Sequence, residues 1–184
     1  PAWPQLPTVL QSGCADCAAG SGFIVTVRVN GTVWMLGKAP APTSLPDARD
    51  GWEQLRWAAA PGTESAAAVR DGDTASETAS APVAVAGDAC GGVILVGTAD
   101  GTLCSCGDGV ALGLDSSSGT AALTPLPGLP PVSAFAVGSL HAAAATRRDG
   151  SLWTWGDGLS GNLGHGDRKH ALQPSQVTLG APAQ

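Results

Sequence analysis

The chain has 184 residues, 43% of them hydrophobic and 13% charged, with a formal net charge of −6. The apolar share excludes wholesale disorder, and the length allows one domain or part of a larger one. The acidic balance disfavours direct nucleic-acid binding, which normally needs a basic patch; the densest basic clusters are Arg147-Arg148 and Arg168-Lys169-His170.

The 26 Gly and 14 Pro predict many turns and argue against long helices. Six Trp supply nearly all the large aromatic volume, beside two Phe and no Tyr, so their positions should mark the core. No stretch reaches the roughly 20 apolar residues of a membrane helix, so membrane insertion is not expected. No charged segment followed by an apolar one opens the chain, and a start at Pro1 reads as a processed product or a piece of a longer chain. Five Cys is an odd number. Disulfide frameworks use an even set in small, Cys-dense secreted domains. Reduced thiols, no bound metal and an intracellular setting are therefore expected.

In chain order, the first element is an apolar run over 23–29, followed by Asn30-Gly31 and then Val33 to Gly37. Asn-Gly and Asp-Gly are strong hairpin signals, which predicts a type I′ turn between two strands. Residues 38–51 read as a loop, and 52–60 as the nearest helix candidate, though their end suits a strand equally well. A weaker copy of the hairpin follows over 57–73, with Asp71-Gly72 at its turn, and 71–80 is polar. The next strong copy has an apolar run at 93–96, then Asp100-Gly101, then Leu103 to Gly107. After a loop expected over 116–131, the last copy runs from 142–146 through Asp149-Gly150 to Trp153, Trp155 and Gly156.

The three strong copies align without gaps. In each, another Gly stands six residues after the turn Gly: Gly37, Gly107 and Gly156. The third and fifth residues after the turn Gly are Trp34 and Leu36, Cys104 and Cys106, and Trp153 and Trp155. Same-parity side chains share one face of a strand, so each pair is expected to be buried between sheets. The expected units are 9–45, 52–80, 82–131 and 132–180.

The last unit carries the most specific motif: Gly138-Ser-Leu-His141, Asp149-Gly150, Trp155-Gly156-Asp157, Gly161-Asn-Leu-Gly164-His165-Gly166-Asp167, then Pro174 and Val177. It resembles the repeat of the regulator-of-chromosome-condensation family, with Asn162 where that repeat has Gln. Ala111-Leu112-Gly113-Leu114 is a worn form of the same Gly-Gln-Leu-Gly block. The resemblance implies an all-β fold: a partial β-propeller of about three to four four-stranded blades around a channel. Such propellers commonly have seven blades, so this chain reads as an arc, its blade edges completed by more chain or another subunit.

Chemistry is sparsely signalled. Cys14-x-x-Cys17 with Cys104-x-Cys106 could pair as a zinc site, yet Cys104 and Cys106 also occupy blade-core positions. His141 reads as a structural residue of the repeat, and His165 and Asp167 as turn or rim residues. Gly-x-Ser-x-Gly, Gly-x-x-x-x-Gly-Lys and His-Glu-x-x-His are all missing. No catalytic, cofactor-binding or metal residue is assigned, and no cofactor is expected. The expectation is a non-enzymatic scaffold with a protein partner, a small GTPase or a large assembly. Regulation of a small GTPase by nucleotide exchange is the alternative, and a hydrolase on a propeller the third reading.

Overall fold

The computed structural model describes residues 13–38, 44–58, 82–87, 92–115 and 119–178, with the backbone alone at 49 and 50. The Asp71-Gly72 turn and Cys90 lie outside the described residues. Among the described residues thirteen strands are formed: β1 Cys14–Gly20, β2 Phe23–Arg28, β3 Val33–Gly37, β4 Ala48–Gln54, β5 Arg56–Trp57, β6 Pro82–Gly87, β7 Val93–Thr98, β8 Leu103–Gly107, β9 Thr120–Pro125, β10 Val132–Val137, β11 His141–Thr146, β12 Leu152–Gly156 and β13 Ala171–Gln176. A 3-10 turn, Val110–Leu112, follows β8.

The strands make three antiparallel meanders, β1–β4, β6–β9 and β10–β13. The short β5 joins the outer edge of the second sheet, parallel to β9, with Arg56 opposite Ala122 and Trp57 opposite Leu123. The helical alternative for 52–60 is replaced by strand at 52–54 and at Arg56–Trp57, while 59 and 60 lie outside the described residues. Two loop expectations were also too broad, since 48–51 belongs to β4 and 120–125 is β9. Both are fourth strands built of small and polar residues, whose order comes from pairing with the strand before them.

The hairpins sit where the Asn-Gly and Asp-Gly pairs place them, but they are not type I′ turns. That turn needs positive φ at both central residues, and here only the Gly supplies it, at +82° for Gly31 and +94° for Gly101. Gly31 N donates to Arg28 O and Arg28 N to Thr32 O, each at 2.9 Å. That is a three-residue loop with Gly in the left-handed position, and Thr98 to Thr102 repeats it. The third hairpin is one residue longer, closed by Thr146 N to Ser151 O at 3.0 Å.

The Gly six residues after each turn Gly has a physical reason. Gly37, Gly107 and Gly156 have φ of +99°, +112° and +107°. A Cβ there would strike the backbone carbonyl of Gly22, Gly92 or Leu140, the residue just before the adjacent strand. In each sheet the register to the fourth strand shifts just before this Gly, and the extra residues lie on the fourth strand, where 49–52, 121–123 and 172–174 stand against the single residues Leu36, Cys106 and Trp155.

The sheets stack face to face. Phe23, Val25, Val27, Val33 and Met35 of the first pack against Ile94, Val96, Cys104 and Cys106 of the second. Val93, Leu95 and Leu103 on the other face of the second meet Ala142, Ala144 and Trp155 of the third. Every residue of β7 and β8 is consequently buried. Burial of each large side chain contributes about 1.5–3 kcal/mol.

The expected burial of the third and fifth positions holds fully for Cys104 and Cys106 and for Trp155, which is 0% exposed. Trp34, Leu36 and Trp153 are only half-buried. In the first sheet Val33 and Met35 on the opposite face are the buried ones. The cause is position in the stack, because Trp34 and Leu36 lie on the face of the first sheet turned away from the second.

Candidate functional site

The frame carries its most elaborate chemistry in two places, the hairpin turns at one end of the sheets and the long connections at the other. At the hairpin end, each turn Asn or Asp folds its side chain back on the backbone. Asn30 Oδ1 accepts from Thr32 N (3.2 Å) and Thr32 Oγ1 (2.7 Å). Asp100 Oδ1 accepts from Thr98 Oγ1 (2.5 Å) and Thr102 N (2.9 Å). Asp149 Oδ1 accepts from Thr146 Oγ1 (2.6 Å) and Ser151 N (3.0 Å). These bonds stabilise the ionised carboxylate. The Thr146 hydroxyl, then Ser151, holds Asp149 down to about 2, and the Thr98 hydroxyl likewise lowers Asp100.

A pH dependence follows. A carboxyl whose folded pKa is depressed contributes stability that is present above its unfolded pKa and is lost as pH falls through the folded one. The third hairpin should thus keep its turn at pH 4 and loosen only towards pH 2, in the range set by 3.8 and about 2. NMR titration of the Asp149 carboxyl, with amide exchange at Ser151, checks this. A midpoint near 3.8 would contradict it.

Arg147, of the basic pair Arg147-Arg148, bonds within the frame. Its Nε donates to Val132 O (2.8 Å) and its Nη1 to Ala99 O (2.9 Å), tying the third hairpin to the second. On the inner side, Asp16 Oδ2 accepts from Val85 N (2.9 Å), joining β1 to β6.

At the other end run the connections 38–47, 108–119 and 157–170, of which 39–43 and 116–118 lie outside the described residues. They are anchored by buried leucines. Leu112 is 1% and Leu163 3% exposed. Ser105 Oγ donates to Leu112 O (2.7 Å) and Thr154 Oγ1 to Leu163 O (2.6 Å). Gly113 and Gly164 follow with φ of +79° and +77°. The worn Ala111-Leu112-Gly113 and the intact Asn162-Leu163-Gly164 therefore have the same architecture. Trp155 Nε1 reaches across from the third sheet to Ala111 O (2.8 Å). Asp108 accepts from the backbone N of Ser44 and from its hydroxyl (3.0 Å), which links two neighbouring connections.

Around these anchors the rim is open. Leu140, Leu159 and Leu172 are 38%, 58% and 39% exposed. Leu140 has φ +66°, a left-handed conformation that costs a non-Gly residue about 1–2 kcal/mol. The charges are of both signs: Lys38 pairs with Asp47 at 3.0 Å and Lys169 with Asp167 at 3.9 Å, and His170 Nδ1 lies 3.3 Å from Asp157 Oδ1.

The other sequence candidates are dispersed. His141 Nδ1 lies 2.9 Å from Ser139 O and His165 Nε2 3.1 Å from Thr154 Oγ1, both contacts within the frame. Cys14 and Cys17 are exposed free thiols on β1, whereas Cys104 and Cys106 are free and buried between sheets. Desolvation, with Asp100 nearby, pushes Cys104 up to about 12, and burial drives Cys106 upward too, so neither is a nucleophile at neutral pH. Among the described residues no group of three or more His, Cys, Asp or Glu is placed to hold a metal. No described helix is long and apolar enough to cross a membrane.

Three stacked, four-stranded meanders, twisted about a common inner side lined by β1, β6 and β10, define an arc of a β-propeller. Within the last blade, residues 149–182 match the model of the Regulator of chromosome condensation (RCC1) repeat. Solved structures of the same fold include human WBSCR16, with 20% identity and a TM-score of 0.65 over 89% of this chain and 39% of that one. Prp20p from Saccharomyces cerevisiae, described with its binding properties to Gsp1p and histones, gives 18% identity and a TM-score of 0.64 over 90% and 38%. Yeast RCC1 (Prp20) bound to Kap60 gives 19% and 0.63 over 90% and 37%. The chain thus spans about two fifths of the length of these structures. No curated protein matches the chain.

Proposed function

We propose that this chain is a non-enzymatic, intracellular protein-binding scaffold whose contact surface is the rim of connections 38–47, 108–119 and 157–170. The observation that carries the reading is the pairing of rigid anchors with exposed apolar tips. Leu112 and Leu163 fix the connections from below, while Leu159 of the last connection and Leu140 of the adjoining turn between β10 and β11 are exposed to solvent. Variable loops on a regular frame let a binding surface be tuned without disturbing the core. A net charge of −6 favours a protein partner with a basic face over nucleic acid.

The rim can be tested without touching the core. Leu159→Ser should leave the circular dichroism and melting of the chain unchanged. It should weaken partner binding by about tenfold, the effect of losing roughly 1.4 kcal/mol at an apolar anchor. The measurement is quantitative cross-linking and co-purification with wild type and variant in parallel, followed by a titration against the protein recovered. Equal affinity for the two chains would remove the rim from the reading.

The second reading is regulation of a small GTPase, favoured by the likeness of fold to Prp20p with its described binding to Gsp1p. Acceleration of nucleotide release by the purified chain would establish it over the scaffold.

A further inference from the structure

We propose that Asn30-Gly31 is a self-modification site gated by its own hairpin. Closed, the turn keeps the Asn30 side chain as an amide; opened, it lets that amide become a carboxylate with release of ammonia. The site lies at the hairpin end of the first blade, away from the rim, and does not depend on the rim being a binding site.

The chemistry needs only the chain and water. The backbone N of Gly31 attacks Cγ of Asn30 and gives up its proton. The N–Cγ bond forms, the bond from Cγ to the side-chain nitrogen breaks, and that nitrogen leaves as ammonia, closing a five-membered imide. One water then opens the imide to aspartate or, through the other carbonyl, to isoaspartate. A Gly in second place favours the attack, because no Cβ crowds the approaching backbone. The chain has two Asn. Asn30 stands before Gly31 in an exposed turn, whereas Asn162 stands before Leu163, a residue 3% exposed.

The closed hairpin withholds both reacting groups. Gly31 N donates to Arg28 O at 2.9 Å, so the proton that must leave is engaged. Asn30 Oδ1 accepts from Thr32 N and from Thr32 Oγ1, and that hydroxyl accepts in turn from Trp34 Nε1 at 2.8 Å. These bonds hold the side-chain carbonyl towards Thr32. The reaction therefore runs through the open turn, reached by local opening without unfolding of the blade.

The product fits back into the frame. Asp100 and Asp149 hold the same place in the other two hairpins, each accepting from the backbone N two residues on, at Thr102 and Ser151. Their second donors are the hydroxyls of Thr98 and Thr146. In the first hairpin that position is Arg28, a cation in a stretch, 28–34, with no acid of its own. Aspartate at position 30 thus closes the turn again, while isoaspartate, with one more backbone carbon, cannot make the three-residue loop. A passing opening of the first blade is converted into a lasting negative charge beyond the −6 of the unmodified chain.

Peptide mass mapping distinguishes amide from acid at both Asn as the chain ages at neutral pH. In native buffer Asn30 should convert more than about tenfold slower than in concentrated urea, since only the open fraction reacts. Asn162, in the same digests, should lag far behind Asn30 in urea. Thr32→Val, which removes the hydroxyl held by Asn30, should speed conversion in native buffer and leave the rate in urea alone. Asn30→Asp should melt at or above the wild-type temperature. Four results would each overturn the proposal: equal Asn30 rates in native buffer and urea, no conversion of Asn30 in urea, a native rate unmoved by Thr32→Val, or an Asn30→Asp chain that melts below wild type.

Discussion

Trp155→Ala is expected to cost about 3–5 kcal/mol of stability, the range for removing a fully buried Trp and leaving its cavity. Trp155 is 0% exposed, lies at the junction of the second and third blades, and donates to Ala111 O at 2.8 Å. The neighbourhood cannot easily collapse into the vacancy. Leu112 and Gly113 beside it belong to the 108–119 connection, where Leu112 N is bonded to Gly109 O, and Leu126, just after β9, is bonded through its N to Leu103 O. Trp155→Phe separates the two contributions, keeping most of the volume while orphaning a buried carbonyl, for a loss of about 1–3 kcal/mol. Trp153→Ala, at a half-buried site of the same face, should cost less than Trp155→Ala. Urea denaturation followed by circular dichroism ranks the three. Equal losses for Trp153→Ala and Trp155→Ala would refute the assignment of Trp155 to the inter-blade core.

Gly107→Ala should be as damaging as the loss of that Trp, although it adds a single methyl. At φ +112° the methyl meets the carbonyl oxygen of Gly92 and the Cα of Val93. Neither can retreat, because Val93 pairs with Gly107 and β7 is buried on both sides. Backbone strain of about 1–3 kcal/mol adds to overpacking of about 1–3 kcal/mol. Gly128→Ala is the control. Its φ of +71° is also positive, but nothing lies within 4 Å of the added methyl, so only the left-handed penalty of about 1–2 kcal/mol applies. The same denaturation series decides it: similar losses at the two sites would show that conformation alone, not the close approach of strands, maintains the repeated Gly.

The hairpins, the middle strands and the repeated block were readable because each is carried by residues with few substitutes. Asn30-Gly31, Asp100-Gly101 and Asp149-Gly150 mark turns through backbone chemistry. Gly37, Gly107 and Gly156 recur because no side chain fits there. The alignment of Ala111-Leu112-Gly113 with Asn162-Leu163-Gly164 was visible as well, and the shared bond from Ser105 or Thr154 to the Leu carbonyl explains it. The fourth strands were missed where they carry no apolar alternation. Thr120–Pro125 and Ala48–Gln54 are ordered by the strand beside them, which is information from elsewhere in the chain. The turn type was misjudged because a three-residue loop with one left-handed Gly bears the same dipeptide signature as a two-residue one.

The rim was only partly legible. The sequence offered 38–51 and 116–131 as its loops, yet 126–131 emerges at the hairpin end, on the far side of β9 from 116–119. Which end a loop occupies depends on the number of strands before it, so one unrecognised strand sends half a loop to the wrong face. Leu159 and Leu140 escaped notice because they sit inside a family motif, where an exposed Leu looks the same as the buried Leu163.

The short strand β5 has a consequence beyond its size. Chain leaving the first blade is hydrogen-bonded along the perimeter of the second, where Ala58 N also donates to Leu123 O. The second blade's edge is thereby sealed by its neighbour's tail, a cover that keeps an open row of amides from templating another chain. Damage to the first blade is then not confined to it. Loosening Trp52 or Leu55 would peel this selvedge away and bare the central blade to aggregation, so these blades share one fate in the cell's quality control.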